Sequence, residues 1–179
     1  MKKLTTKDLC LIGIFAGIIA VMAQIIVPLP GVPVTMQTFA IPLAGIVLGA
    51  KRGTIAVFIY VLLGAVGLPV FAGFSGGIGH IAGPTGGFIL SFPIMAFTTG
   101  YGAEKGSRPW LAGGIILGMA INYMCGMLYF SHVLSTDLQA AFTIAVLRFI
   151  PADILKAFMA VILGLRLEYY INRVNSQAS

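Results

Sequence analysis

The sequence predicts an all-α fold, that of a polytopic membrane protein with six transmembrane helices. Three observations predict it: an apolar composition, apolar stretches close to the length of a membrane span, and basic residues confined to alternate connections. Hydrophobic residues make up 59% of the 179 residues and charged residues only 9%, and the mean hydropathy is +1.02. Such a chain suits lipid better than water, and its length predicts a single integral membrane domain over residues 1–179.

The six predicted spans are apolar stretches of uneven length. A helix needs about 20 residues to cross the hydrocarbon core of a bilayer. The second and third stretches are short, so they need flanking residues or local thinning of the bilayer to cross. Pro42 and Pro93 lie inside spans, where neighbouring helices can satisfy the carbonyl groups that a proline frees. The spans are residues 7–27, 36–50, 53–66, 85–103, 110–130 and 151–171.

The basic residues predict the orientation of the helices. The connections at 28–35, 67–84 and 131–137 contain no Lys or Arg. The positive-inside rule therefore predicts that both termini are cytoplasmic and that the protein spans the cell membrane. Dispersal of these charges over short segments argues against a nucleic-acid partner. With six crossings, nine of the eleven basic residues lie on one side: Lys2, Lys3, Lys7, Lys51, Arg52, Lys105, Arg108, Arg166 and Arg173.

Two ionisable residues, Asp153 and Lys156, lie inside the last apolar span. A charge at mid-membrane costs about 2.5–3.5 kcal/mol on insertion scales, so it is usually paired, inward-facing and functional. The spacing i, i+3 places both residues on one face of a helix, and we expect a ligand at that face. The alternative is a structural ion pair near a helix start, where Pro151 suits the first turn and the helix dipole favours Asp153.

An apolar, glycine-rich segment at 67–87 lies on the predicted outer side, next to this pair. A flexible loop is the usual interpretation of such a segment, but helices flank this one and it is not rich in Ser, Asn or Asp. We predict that its backbone N–H groups and aromatic faces contact a small ligand. Thr35 and Gln37, at the entry to the second span, are either helix caps or part of the same pocket. The candidate binding residues are Asp153, Lys156, Gln37, Phe71, Gly73, Phe74, His80, Thr85 and Phe88.

No catalytic residue, metal site or cofactor is predicted. The run at 77–82 fits G-x-G-x-x-A, but a dinucleotide site also needs a preceding strand and an acidic residue about 20 residues on, and 91–100 contains none. A P-loop motif is absent, so the chain itself cannot hydrolyse ATP in that way. His80 and His132 have no carboxylate nearby in the sequence, and Cys10 and Cys125 lie in apolar spans, which argues against a disulfide framework.

Small residues repeat along the first span at four-residue spacing. Gly13 and Gly17 form one pair, and Ala16 and Ala20 form another. Faces of this kind let helix backbones approach closely. Two interpretations stay open: the face packs against the protein's own helices, or it docks a separate membrane subunit.

Three runs in this order resemble a known family. They are VPVTMQTFAIPLAGIVLGAKRG at 32–53, GLPVFAGFSGGIGHIAGPTGGF at 67–88, and the P-x-D-x-x-K of Pro151, Asp153 and Lys156. Together they resemble the biotin-specific substrate-binding (S) components of energy-coupling-factor (ECF) vitamin transporters. The resemblance extends over about residues 1–173. The sequence departs from the family at Phe88, where tyrosine is common, and at Arg148, where proline is frequent.

The resemblance implies a transporter subunit rather than an enzyme. It implies six helices, a biotin pocket near the outer face that holds Asp153 and Lys156, and a first helix that docks an integral membrane coupling subunit. Two ATPase subunits would drive uptake, so ATP would be used only by partners. The alternatives are an S component for another vitamin, a stand-alone secondary transporter, and a structural membrane protein. A secondary transporter would show pseudo-symmetric halves, and no repeat relates 1–90 to 91–179.

The predicted topology can be tested by labelling. Single cysteines at Gly76 and Thr136 should react with an impermeant reagent added to intact cells, because both connections are predicted to be external. Cysteines at Arg52 and Ser107 should react only after the cells are opened. Labelling of the Arg52 position from outside would overturn the six-span arrangement, since that arrangement depends on the basic residues being internal.

Overall fold

The computed structural model describes residues 4–28 and 32–177, with side chains given as far as residue 171. Lys2, Lys3 and the side chain of Arg173, all used in the orientation argument, lie outside the described part. The fold is mostly helical, as predicted, with one small sheet and two short helices that the sequence did not predict. In chain order the elements are α1 (Thr6–Met22), β1 (Ile26–Val27), β2 (Val34–Thr35), α2 (Gln37–Ala65), α3 (Ile78–Ala82), α4 (Gly86–Glu104), α5 (Arg108–Leu134), α6 (Leu138–Phe142), a π-helical turn (Thr143–Leu147) and α7 (Ile150–Gln177).

Helix α2 folds back on itself at Gly49. The φ angle of Gly49 is +79°, a conformation that glycine adopts without steric cost. Two contacts show the reversal: a Cβ added to Gly53 would lie 2.9 Å from the carbonyl oxygen of Ala44, and Gln37 Nε2 donates to the Tyr60 hydroxyl at 2.6 Å. Residues 37–48 and 50–65 therefore form two antiparallel arms, which correspond to the second and third predicted helices.

Two of the described helices, α2 and α5, are long and apolar enough to cross a membrane by length and composition. Helix α2 reaches that length only when both of its arms are counted. Helix α1 is shorter than the predicted span at 7–27, because the chain leaves the helix after Met22 and enters the antiparallel pair β1–β2. A two-residue strand is too short to give an alternating pattern in the sequence.

One end of the helix bundle gathers the connections that carry basic residues. Asp8 caps α1 together with Thr5 and also accepts a hydrogen bond from Arg52 Nη1 at 2.7 Å. At the same turn of α2, the backbone N–H of Ala50 donates to Glu104 Oε1 at 2.9 Å. The start of α1, the turn of α2 and the end of α4 thus meet at one end, which we call the basic end.

The opposite end is built from the β1–β2 pair, the glycine-rich segment and α6. Gln24, just after α1, holds the glycine-rich segment by its side-chain amide. Its Nε2 donates to the carbonyl oxygens of Val70 at 3.3 Å and Phe71 at 3.1 Å, and its Oε1 accepts from the N–H of Phe74 at 2.7 Å. The segment is therefore fixed to α1 at this point, which a freely flexible loop would not be.

Helices α2, α4 and α5 pack closely because glycines lie at their crossings. A Cβ on Gly45 would lie 2.7 Å from the carbonyl oxygen of Ala96, and one on Gly118 would lie 3.2 Å from the Met95 backbone. Small residues permit such close approach, which compensates in lipid for the weak hydrophobic attraction between helices. The buried core runs along this contact and includes Tyr60, Met95 and Phe92.

Candidate ligand-binding site

A cavity of about 330 Å³ lies between the segment that enters α2, the glycine-rich segment and helices α4, α5 and α7. Pockets that hold small molecules are usually concave, mostly apolar and provided with a few convergent polar groups. This cavity fits that description, since its walls are largely aromatic and aliphatic while several polar side chains converge on one part. The lining residues are Val32, Pro33, Thr35, Gln37, Thr38, Phe71, Ala72, Ser75, His80, Pro84, Thr85, Phe88, Ile89, Phe92, Asn122, Tyr123, Phe149, Asp153 and Lys156.

The carboxylate of Asp153 is the centre of the polar part. Only 1% of the residue is exposed, and three side chains donate hydrogen bonds to it. Thr38 Oγ1 lies 2.7 Å from Oδ1, Lys156 Nζ lies 2.9 Å from Oδ1, and the Tyr123 hydroxyl lies 2.6 Å from Oδ2. A buried charge is tolerated when it is paired and hydrogen-bonded in this way.

Lys156 completes the same network. It is 7% exposed, and its ammonium group donates to Asp153 Oδ1, to Thr38 Oγ1 at 3.1 Å and to the carbonyl oxygen of Thr35 at 2.7 Å. An ammonium has three N–H donors, so all of them are used. The i, i+3 pair predicted from the sequence therefore exists, and it joins α7 to the beginning of α2.

The first turn of α7 positions Asp153. The Asp153 N–H donates to the carbonyl oxygen of Phe149 at 2.9 Å, which makes it part of the first helical turn. Pro151 lies in the same turn, where its missing N–H leaves no hydrogen bond unmade. The carboxylate thus lies at the positive end of the helix dipole, which stabilises an anion.

Aromatic rings form much of the apolar wall. Phe71 is 2% exposed and packs edge-on against Tyr60, at 5.7 Å between ring centroids, and against His80, at 6.4 Å. Phe88 covers another part of the wall and lies directly on Gly126 of α5, where an added Cβ would overlap the ring. The edge-to-face packing of Phe71 on Tyr60 and His80 is a favourable arrangement of aromatic rings.

The structure brings together all but two of the predicted binding residues. Phe74 is 73% exposed and has a φ angle of +54°, and neither it nor Gly73 lines the cavity. Both lie in the turn closed by a short antiparallel bridge between Phe71 and Ser75, within which Ala72 does line the cavity. The predicted residues that do line the cavity are Asp153, Lys156, Gln37, Phe71, His80, Thr85 and Phe88.

Four polar lining residues were missed by the sequence argument: Thr38, Ser75, Asn122 and Tyr123. Asn122 and Tyr123 are adjacent polar residues in the middle of the apolar span predicted at 110–130. Polar groups at such positions usually face a partner helix or a cavity, so a signal was present. Thr38 follows Gln37 directly, and its direction depends on where α2 begins.

The two pairs of small residues on α1 face different directions. An added Cβ on Gly13 or Gly17 would meet nothing within 4 Å, so this pair faces away from the rest of the described chain. Ala16 is 3% exposed and belongs to the buried core, against which Ala20 also packs. In the chain by itself, internal packing therefore accounts for the alanine pair.

Among the described residues, no three side chains of the His, Cys, Asp and Glu types lie close enough together to hold a metal ion. The fold and the cavity together define a helical protein with a buried, mostly apolar cavity of a size that suits a small organic molecule.

The chain belongs to the BioY family, whose family model matches residues 1–173. It is 44% identical to the probable biotin transporter BioY of Pyrococcus horikoshii, with 90% of this chain and 96% of that protein covered. It is 40% identical to the biotin transporter BioY of Thermotoga maritima, with the same coverage. These relatives are transporters rather than enzymes, and membership of the family implies a membrane location.

A solved structure has the same fold. The crystal structure of the S-component for biotin from an ECF-type ABC transporter superposes with a TM-score of 0.84 at 27% sequence identity. The match covers 93% of this chain and 95% of that chain. The family predicted from the three sequence runs is thereby confirmed.

The contact between Gly126 and Phe88 predicts that a side chain added at position 126 of α5 destabilises the fold. Gly126→Ala should lower the free energy of unfolding by about 1–3 kcal/mol, because the Phe88 ring must move to make room. The measurement is thermal or denaturant unfolding in detergent. Gly113→Ala is the matched control on the same helix, since an added Cβ there meets nothing within 4 Å. Equal stability of the two variants would contradict the packing described.

Proposed function

We propose that this protein is the membrane-embedded, biotin-binding S component of an ECF-type transporter, which captures biotin for ATP-driven uptake by partner subunits. The observation that carries the proposal is the buried Asp153–Lys156 pair in an otherwise apolar cavity of about 330 Å³. The names of the relatives and of the solved structure support biotin as the ligand.

The chemistry of biotin fits this site. Its ureido ring offers two N–H donors and one carbonyl acceptor, its thioether ring is apolar, and its side chain ends in a carboxylate. Tyr123 leaves one lone pair of Asp153 Oδ2 available for a ligand N–H, while Phe71 and Phe88 supply faces for the ring system. An S component for another small vitamin is the alternative, and a ligand panel separates the two.

The proposed orientation has the cavity opening toward the outer face of the membrane. Arg52 and the other described basic connections gather at the basic end, and the positive-inside rule assigns that end to the cytoplasm. Six crossings would then be α1, the two arms of α2, α4, α5 and α7, with both termini inside. The short helices α3 and α6 would lie at the outer surface.

The proposed partners are an integral membrane coupling subunit and two ATPase subunits. Docking is assigned to the open face of α1 that carries Gly13 and Gly17, since no described residue covers it. ATP would be hydrolysed only by the ATPase subunits, and biotin is the transported ligand rather than a cofactor.

The first test is calorimetry of the purified chain with biotin and a panel of other vitamins. Asp153→Asn should weaken biotin binding about ten- to hundredfold. The change replaces an acceptor oxygen by an amide N–H₂, which leaves buried donors unpaired, and each such loss costs about 1–3 kcal/mol. Lys156→Met should have a similar effect, and the double variant tests the pair as a whole. Asp137→Asn, at the exposed cap of α6, is the matched control and should bind like the parent.

The double variant decides whether the pair serves the ligand or only the fold. If it folds and binds biotin as tightly as the parent, the pair is an internal ion bridge and the ligand site lies elsewhere. We expect it to fold and to bind biotin poorly.

Coupling is tested separately from binding. Gly13→Leu with Gly17→Leu should leave biotin binding by the isolated chain unchanged, yet reduce energised uptake severalfold in cells that supply the coupling subunits, because close helix approach is blocked. Gly113→Leu, at an open glycine of α5, is the control and should leave uptake intact. Normal uptake by the double variant of α1 would remove this face from the docking surface.

A further inference from the structure

Asn122 is a buried amide in the middle of α5 that the ion-pair network does not include. Only 2% of the residue is exposed. Its Nδ2 donates to the carbonyl oxygen of Phe88 at 3.0 Å and to Ser91 Oγ at 2.8 Å, both on α4. The two N–H donors of the amide are thus both used by one neighbouring helix.

These partners fix which way the amide points. The Phe88 carbonyl can only accept, so the Asn122 atom beside it must be the nitrogen. Ser91 Oγ lies 2.9 Å from the Gly87 carbonyl oxygen and 3.0 Å from that of Phe88, so its own hydrogen is already committed and it too accepts from Asn122. The nitrogen therefore faces α4, and Oδ1 points the other way.

Oδ1 of Asn122 is an acceptor without a donor. No described residue donates a hydrogen bond to it. The fully enclosed side-chain atoms without a partner in the described part are Thr99 Oγ1 and Thr136 Oγ1, and Asn122 Oδ1 is not one of them. Asn122 lines the cavity, so this oxygen is reachable from there. Buried polar atoms are rarely left without a partner.

The neighbouring polar groups are more heavily used. Lys156 has no N–H to spare, and Asp153 already accepts three hydrogen bonds. Asn122 Oδ1 thus keeps both of its lone pairs available, and it is held in place by α4 rather than by the ion pair. A fixed acceptor of this kind is suited to one donor of a ligand.

We propose that Asn122 is a specificity-determining residue, whose Oδ1 accepts a hydrogen bond from one of the two ureido N–H groups of biotin. The assignment rests on the proposed function for the identity of the ligand. Asn122 Oδ1 is then the second acceptor for the two N–H groups of the ureido ring, besides Asp153 Oδ2. A site that provides such an acceptor discriminates against analogues without the N–H, because the oxygen is then left unpaired.

The test pairs a protein variant with a ligand variant. Calorimetry measures the dissociation constants of biotin and of its two cyclic carbamate analogues, in each of which an oxygen replaces one ureido N–H. The proteins are the parent chain and Asn122→Leu, which keeps nearly the same shape. Asn122→Leu should weaken biotin about ten- to hundredfold, as expected when a buried donor loses its partner. One of the two analogues lacks the N–H that Asn122 accepts. For that analogue, Asn122→Leu should weaken binding less than about threefold.

The outcomes are distinct. Equal losses for biotin and both analogues would show that Asn122 serves only the packing of α4, and this would overturn the inference. A parent chain that binds biotin in that experiment leaves the proposed function intact, whereas a parent that binds no biotin refutes the proposed function itself. If Asn122→Leu does not fold, Asn122→Ser replaces it, since a serine oxygen is too short to reach the ligand but leaves the site polar.

Discussion

The burial of one carboxylate, that of Asp153, constrains most of the site. An ionised carboxylate loses several kcal/mol of hydration when it leaves water, so it must be met by donors in good geometry. Those donors come from α2 through Thr38, from α5 through Tyr123 and from α7 through Lys156. Three helices are therefore held in register at the level of the cavity, and any shift of one of them would leave a buried charge short of a partner.

Glycine supports this arrangement by setting the distances between helices. Gly45 and Gly118 bring α4 close to α2 and α5, and Gly126 leaves room for the ring of Phe88 at the cavity wall. In lipid the hydrophobic effect contributes little to helix association, so close packing and buried hydrogen bonds carry more of it. The apolar walls and the polar network of the cavity thus depend on the same small residues.

Much of the fold followed from composition and hydropathy alone. The turn between the second and third predicted helices was marked by Lys51 and Arg52, and the structure reverses the chain two residues earlier, at Gly49. The β1–β2 pair, α3 and α6 were not predicted, because segments of two to five residues are too short to show a period. The end of α1 was also missed, since apolar residues continue into β1 without a change in hydropathy.

The sequence by itself determined the family, the ion pair and a minority of the cavity-lining residues. The i, i+3 spacing of Asp153 and Lys156 needs no tertiary information to place both on one helix face. Only the tertiary structure decided which other side chains meet that face. Tyr123 meets it because α5 brings its hydroxyl to Asp153, while the adjacent Asn122 donates to α4. Phe74, with a φ angle of +54°, is 73% exposed instead. The same holds for Ala16, which lies in the core while Gly17 next to it stays open. Spacing fixes which residues share a face, and packing between helices fixes where that face points.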